Sequence, residues 1–151
     1  MTRFKLHSEP VQDAWLDAYG HLNEAYYLVP FSNATWKLQD RFGIGVDYFK
    51  ETGCAIYTVE THMRYLAEVR APAIVEIEGM IIGSDAKRFW FAHEMLVDGT
   101  VRASAEFMVL HYNTRENRTS AMPDDVQAAL KVAELNERPD WAGRSIGFQK
   151  R

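Results

Sequence analysis

Residues 15–42, WLDAYGHLNEAYYLVPFSNATWKLQDRF, restrict the fold more than any other stretch. The stretch opens as a polar turn carrying Asp17, His21, Asn23 and Glu24, and continues as the most apolar helix candidate in the chain. No charged residue lies between Ala25 and Phe31. A helix that is apolar on every side has to be wrapped by other elements. The chain beyond it carries a succession of strand signals, so a sheet is the expected wrapping. Polar residues at a helix start are a natural place for chemistry, because helix N-termini present unpaired N–H donors and partial positive charge.

The helix is expected from about Glu24 to Phe42, with Asn23 as N-cap and Gly43 and Gly45 at its stop. Pro30 falls inside that span. It should remove an intrahelical bond and kink the helix, unless a short first turn ends near Val29 and a second helix starts at Pro30. Ahead of the helix, one edge-like strand is expected around residues 8–15, because Pro10 cannot donate to a ladder. Residues 46–54 read as a polar linker with one short helical turn. Four strand signals come next: Ile56–Val69, Ile74–Ile82, Arg88–Val97 and Val101–Tyr112. In the first of them Tyr57, Val59, Thr61, Met63 and Tyr65 alternate with Thr58, Glu60, His62 and Arg64. Asp98-Gly99 is the strongest hairpin signal, and the turn spacing predicts a meander. A charged loop at 113–119 leads to a helix from about Pro123 to Asn136, with an apolar stripe of Val126, Leu130 and Ala133. The remainder reads as irregular.

Helix and sheet segregated in this way argue for α+β. The expectation is a single domain over residues 1–151, with a core at about 8–113 and a C-terminal helix and tail at 114–151. A long central helix would be wrapped by a curved antiparallel sheet of about five strands.

Composition excludes several function classes. A net charge of −4 argues against a general nucleic-acid binder. No apolar run reaches the roughly 18 residues of a membrane span. MTRFKLHSEP lacks the apolar segment of a signal peptide. The single cysteine, Cys54, leaves no internal disulfide and makes a reducing cytoplasm the expected setting. His7, His21, His62, His93 and His111 lack metal-ligand spacing, and no common nucleotide, hydrolase or metalloprotease motif is present, so no metal or cofactor is expected.

The polar turn is what remains. A carboxylate just before a helix start can act as base or nucleophile while helix N–H groups polarise a carbonyl oxygen. That pairing suits hydrolysis of a thioester or ester. The same residues are also ordinary turn and capping residues, and spacing alone favours that plainer reading.

The run Asp17-Ala-Tyr-Gly20-His21-Leu-Asn23-Glu-Ala25-Tyr-Tyr27 resembles the signature of hotdog-fold acyl-CoA thioesterases of the 4-hydroxybenzoyl-CoA thioesterase type. Tyr57-Thr-Val-Glu-Thr-His-Met-Arg-Tyr-Leu66, Asp85-Ala-Lys-Arg88 and Leu110-His111 match as well, so that the resemblance covers roughly residues 8–135. Within that group, Gly-His-Leu-Asn-Glu-Ala-Tyr-Tyr-Leu, Tyr-Thr-Val-Glu-Thr-His and Ser-Asp-Ala-Lys-Arg are similar to betainyl-CoA thioesterases of carnitine breakdown. The resemblance implies Asp17 as the catalytic carboxylate and Asn23 as the polar residue at the helix start. It also implies backbone N–H groups near Asn23–Ala25 as the oxyanion site, with His21 orienting Asp17 or packing. Many relatives carry a second asparagine where this chain has Glu24, which would then face the substrate. Lys87 and Arg88 would bind coenzyme A phosphates. Glu60 would face a trimethylammonium, and Trp15, Tyr26, Tyr27, Trp36 and Tyr57 are candidates for an aromatic cage. A homodimer or dimer of dimers, with the site at the subunit interface, is implied. The alternatives are a thioesterase for aromatic or medium-chain acyl-CoA, or a non-catalytic acyl-CoA-binding module on the same fold.

Overall fold

A computed structural model describes residues 3–148. The sheet is built from β1 (Phe4–Pro10), β2 (Cys54–Tyr65), β3 (Ile74–Ser84), β4 (Arg88–Val97), β5 (Thr100–Asn113) and β6 (Arg118–Thr119). The helices are α1 (Leu28–Arg41), α2 (Val46–Thr52) and α3 (Asp124–Ala133). Among the described residues, no helix is long and apolar enough to cross a membrane.

All pairings are antiparallel in the order β1-β3-β4-β5-β2, with the short β6 folded back on β5. The first strand lies earlier than its expected span of 8–15. Pro10 closes it opposite Ile74, and the chain then turns through a 3-10 segment at Asp13–Trp15.

The expected meander holds only for β3, β4 and β5. β2 pairs with β5 instead of with its sequence neighbour β3. The segment between β2 and β3 crosses the tip of the β4–β5 hairpin, where the Leu66 and Ala67 N–H groups donate to the Arg102 carbonyl at 2.9 and 3.0 Å. A turn signal marks where the chain bends, not which strand it reaches next. A register shift between Thr58 and Glu60 also breaks the alternation read for β2. Tyr57, opposite Leu110, therefore shares a face with Glu60 and His62, opposite Met108 and Glu106. Met63 and Tyr65 stay on the other face, opposite Ala105 and Ala103.

The helix expected from Glu24 is two elements. Glu24–Tyr27 forms a 3-10 turn, and the α-helix starts at Leu28. Pro30 is thus the third residue of α1. The first N–H groups of an α-helix have no intrahelical partner, so proline removes nothing there and no kink results. Nor is the helix wrapped all round. Pro30, Phe31, Ala34, Thr35, Leu38 and Gln39 are buried, while Leu28, Val29 and Trp36 face outward. The sheet covers one face only. The helix stops at Gly43, whose φ of 71° suits a residue without Cβ. The linker expected at 46–54 is mostly α2, ended by Gly53 in the left-handed region.

The core lies between α1 and the inner face of the sheet. Phe31, Phe91 and Phe107 meet there around His93, all nearly or fully buried. His93 Nε2 lies 3.1 Å from Thr35 Oγ1, which itself donates to the Phe31 carbonyl at 2.9 Å. Each aromatic ring removed from water here contributes about 1.5–3 kcal/mol. α3 buries the predicted stripe of Val126, Leu130 and Ala133. The irregular tail is held on the opposite face of the sheet, where Arg138 lies over Trp90, Arg64 over Trp141, and the Gly143 N–H donates to Glu106 at 2.8 Å.

Candidate active site

The turn from Asp17 to His21 is closed by its own backbone. The Asp17 N–H donates to the His21 carbonyl at 2.8 Å and the Gly20 N–H to the Asp17 carbonyl at 3.0 Å. Gly20 has φ of 76°, a conformation that costs any other residue. The Asp17 carboxylate turns back on the loop, and its Oδ1 accepts from the N–H groups of Tyr19 at 2.9 Å and His21 at 3.2 Å. Oδ2 has no hydrogen-bond partner among the described residues. One oxygen is therefore fixed and the other is available.

Asn23 caps the 3-10 turn, its Oδ1 accepting from the Ala25 N–H at 3.0 Å. The Asn23 N–H is itself spent on the Trp15 carbonyl at 2.9 Å. Of the three N–H groups expected to form an oxyanion site, two are thus occupied. Only the Glu24 N–H is left without a partner among the described residues. Glu24 is held in place by its carbonyl, which accepts from the Tyr65 hydroxyl at 3.0 Å. Tyr65 in turn meets Tyr27 edge to face, with centroids 5.0 Å apart.

His21 orients Asp17 through its backbone N–H, whereas its ring faces Glu68, with Nε2 2.9 Å from Oε2. That approach lies off the ring's donor direction, so the pair is an electrostatic contact and not a hydrogen bond. Glu68 also accepts from the Arg70 guanidinium at 3.1 and 3.2 Å. Burial pushes the phenols of both Tyr27 and Tyr65 above their usual range. They are neutral donors and packing surfaces at physiological pH.

These groups line one cavity of about 620 Å³, formed by Asp17, Ala18, Tyr19, His21, Leu22, Asn23, Glu24, Tyr27, Tyr65, Ala67 and Glu68. Asp17 with its available oxygen, Glu24 with its free N–H, and Tyr27 and Tyr65 are all lining residues of that one space. Chemically the set can accept a proton from water and stabilise an oxyanion. Among the described residues, no group of three His, Cys, Asp or Glu side chains is placed to hold a metal ion.

Five of the twelve residues expected from sequence converge here: Asp17, His21, Asn23, Glu24 and Tyr27. The other seven do not, within this chain. Trp36 points outward from α1. The shifted register puts Tyr57 on the outer face, stacked on Tyr112 at 4.9 Å. Glu60 lies on that face too, in a separate cavity of about 340 Å³ with His62, Trp90 and Glu106. Lys87 and Arg88 sit in the β3–β4 turn, at the far end of the sheet, roughly 30 Å away by the length of β4. Arg88 is paired with Asp85 there. Burial alone would raise the Asp85 carboxyl, but the hydrogen bonds from Arg88 and Lys87 outweigh it and hold the group below its usual range. The other cage candidates, Trp15 and Tyr26, stack on each other 6.2 Å apart.

Sequence pattern does not single out Tyr19, Tyr65 or Glu68 as site residues. Tyr65 ends the inner-facing set of β2, and that position is its one signal. Glu68 carries none. Its loop is docked by the Leu22 N–H donating to the Val69 carbonyl at 2.7 Å, a long-range contact with no local pattern.

The family profile of the thioesterase-like superfamily matches residues 11–130. An L-carnitine dehydrogenase/betainyl-CoA thioesterase from Agrobacterium fabrum is 40% identical over 146 residues, which is 94% of this chain and 30% of that protein. The chain thus spans under a third of that two-activity relative. A betainyl-CoA thioesterase from Pseudomonas aeruginosa is 33% identical, over 92% of this chain and 91% of the relative. Among solved structures, a Staphylococcus aureus protein in complex with CoA has a TM-score of 0.87 at 21% identity, covering 99% of this chain and 98% of that one. A Pseudomonas putida putative thioesterase has a TM-score of 0.80 at 29% identity, with 99% of both chains covered. The curled antiparallel sheet around one helix, the Asp17–Asn23 turn before it and these matches agree: the chain belongs to the thioesterase-like superfamily and has the hotdog fold.

Proposed function

We propose that this chain hydrolyses betainyl-CoA to betaine and coenzyme A, as a step of carnitine catabolism. The observation that carries the reading is the shared cavity lined by both Asp17, whose Oδ2 is available, and Glu24, whose N–H is unpaired. The two relatives named as betainyl-CoA thioesterases supply the acyl group. In this reading Asp17 takes a proton from water as the water oxygen bonds to the thioester carbon. The Glu24 N–H receives the developing oxyanion. Collapse breaks the C–S bond, and the departing coenzyme A thiolate takes up the proton. Water, one carboxylate and one N–H suffice, and no cofactor is needed. Lys87 and Arg88 are retained as candidates for the coenzyme A phosphates, reached across a second subunit.

The working unit is a homodimer or a dimer of dimers with the site at the interface. β2 is an outer edge of the sheet, and its Tyr57, Val59 and Tyr65 are exposed together with Leu66. Tyr65 lines the cavity, so whatever covers this edge also borders the site. A cytoplasmic setting accords with a single thiol.

The test is thiol release from betainyl-, benzoyl- and octanoyl-CoA, with sedimentation of the same preparation for subunit number. Preferred turnover of betainyl-CoA supports the proposal. Preference for benzoyl- or octanoyl-CoA replaces the substrate, and tight binding with no thiol release refutes the enzyme.

A further inference from the structure

The cavity has an unusual electrostatic make-up for a site that must stabilise an anion. Three of its lining residues are acids, Asp17, Glu24 and Glu68, and none is lysine or arginine. Two of the acids are engaged. Asp17 accepts from two backbone N–H groups, and Glu68 from the Arg70 guanidinium while facing the His21 ring. The Glu24 carboxylate has no hydrogen-bond or ion-pair partner among the described residues. It belongs to the same residue that offers the free N–H, and the Tyr65 hydroxyl fixes that residue's carbonyl.

A carboxylate beside an oxyanion site opposes catalysis for a neutral acyl group. As the carbonyl oxygen gains negative charge, the two like charges repel. The penalty reverses if the acyl group brings a positive charge of its own. In a trimethylammonioacetyl thioester, one methylene separates the cation from the carbonyl carbon. The cation would then lie beside the oxyanion, where the Glu24 carboxylate on the same cavity can face it, and the exposed Tyr65 ring offers an aromatic surface to its methyl groups.

Resting on the thioesterase reading above, we infer that the Glu24 carboxylate is the specificity-determining counter-charge that selects acyl groups bearing a quaternary ammonium next to the thioester carbonyl. This replaces Glu60, which lies on the outer face of the sheet, opposite Met108 and in a separate cavity. Two charges about 5 Å apart near a protein surface interact strongly enough to change a rate ratio by about tenfold or more.

The experiment compares kcat/KM for betainyl-CoA with that for its neutral isostere, tert-butylacetyl-CoA, in wild type, Glu24→Gln and Glu24→Asp. Both variants keep the backbone N–H. The charged-to-neutral ratio is expected to fall about tenfold or more in Glu24→Gln and to be largely kept in Glu24→Asp. Added salt should lower the ratio in wild type and leave it flat in Glu24→Gln. An unchanged ratio in Glu24→Gln overturns the inference, as does a wild type that prefers the neutral ester. In both cases the esters are still cleaved, so the thioesterase reading survives. No thiol from either ester in wild type overturns both.

Discussion

Lowering the pH should destabilise this protein through one residue at its centre, His93. The imidazole is fully buried among Phe31, Phe91 and Phe107. Thr35 donates its hydroxyl to the Phe31 carbonyl, so it accepts from His93 Nε2–H, and the ring is neutral. Nδ1 has no hydrogen-bond partner of acceptable geometry among the described residues. Burial pushes the imidazole down from 6.5 to about 3. In the unfolded chain it would return to its ordinary value. Between those two pH values the unfolded chain binds a proton that the folded protein refuses, so stability falls as pH falls. The slope is about 1.4 kcal/mol per pH unit. From pH 7 to pH 5 the loss is about 2 kcal/mol, a large share of the roughly 5–15 kcal/mol that holds such a domain together. The control is His93→Leu. It keeps the site apolar, removes the titrating group, and strands no donor, because Thr35 still donates to the Phe31 carbonyl. Urea denaturation of both proteins at several pH values isolates the residue, since all other titrating groups cancel in the difference. The stability difference should move towards the variant by about 1.4 kcal/mol per unit below pH 6.5. Parallel pH profiles for the two proteins would refute a buried neutral histidine.

The site supplies three further expected outcomes. Asp17→Asn should lower thiol release at least ~100-fold while circular dichroism and thermal midpoint stay near wild type; retention of turnover removes Asp17 from the chemistry. Gly20→Ala meets no atom within 4 Å of the added Cβ, yet it must hold φ at 76°. It should therefore cost about 1–2 kcal/mol, seen as a thermal midpoint lower by a few degrees, and an unchanged midpoint contradicts the left-handed turn. Tyr65→Phe deletes the hydroxyl that anchors the Glu24 carbonyl. With a net bond energy of about 1 kcal/mol at stake, kcat should drop several-fold with little change in stability, and equal kcat in both proteins would show that the anchor is idle.

The parts of this architecture that are legible in the sequence are those written in local pattern. β4 is found at its expected bounds, and α3 buries its expected stripe. The Asp17–Asn23 turn is legible for the same reason, because its hydrogen bonds close within a few residues. What local pattern misses is long-range partnership. The period of β2 implies alternating faces, but a one-residue slip near Val59 transfers Tyr57 to the other side. That slip separates Tyr57 from the cavity, while beyond it plain alternation leaves Glu60 on the outer face and Tyr65 in its inward position. Pro30 leaves two readings open, and the structure takes the second in kind: a short 3-10 turn ends at Tyr27 and a separate α-helix begins two residues before the proline. Glu68 enters the site only because its loop docks on Leu22.

The crossing of the segment between β2 and β3 has a consequence in time. β3, β4 and β5 are joined by tight turns and can zip as successive hairpins. β2 must wait for them, because it pairs with residues of β5 about 40 to 60 positions further along the chain. Closing so long a loop is entropically slow and comes after local hairpins have formed. The same order run backwards lets β2, an edge strand, detach before the β3–β4–β5 meander, with amides that exchange sooner than those of β4. Tyr65 is carried on that strand, and it anchors Glu24. Catalytic competence should thus be gained after the β3–β4–β5 meander on refolding and lost before it on the approach to unfolding.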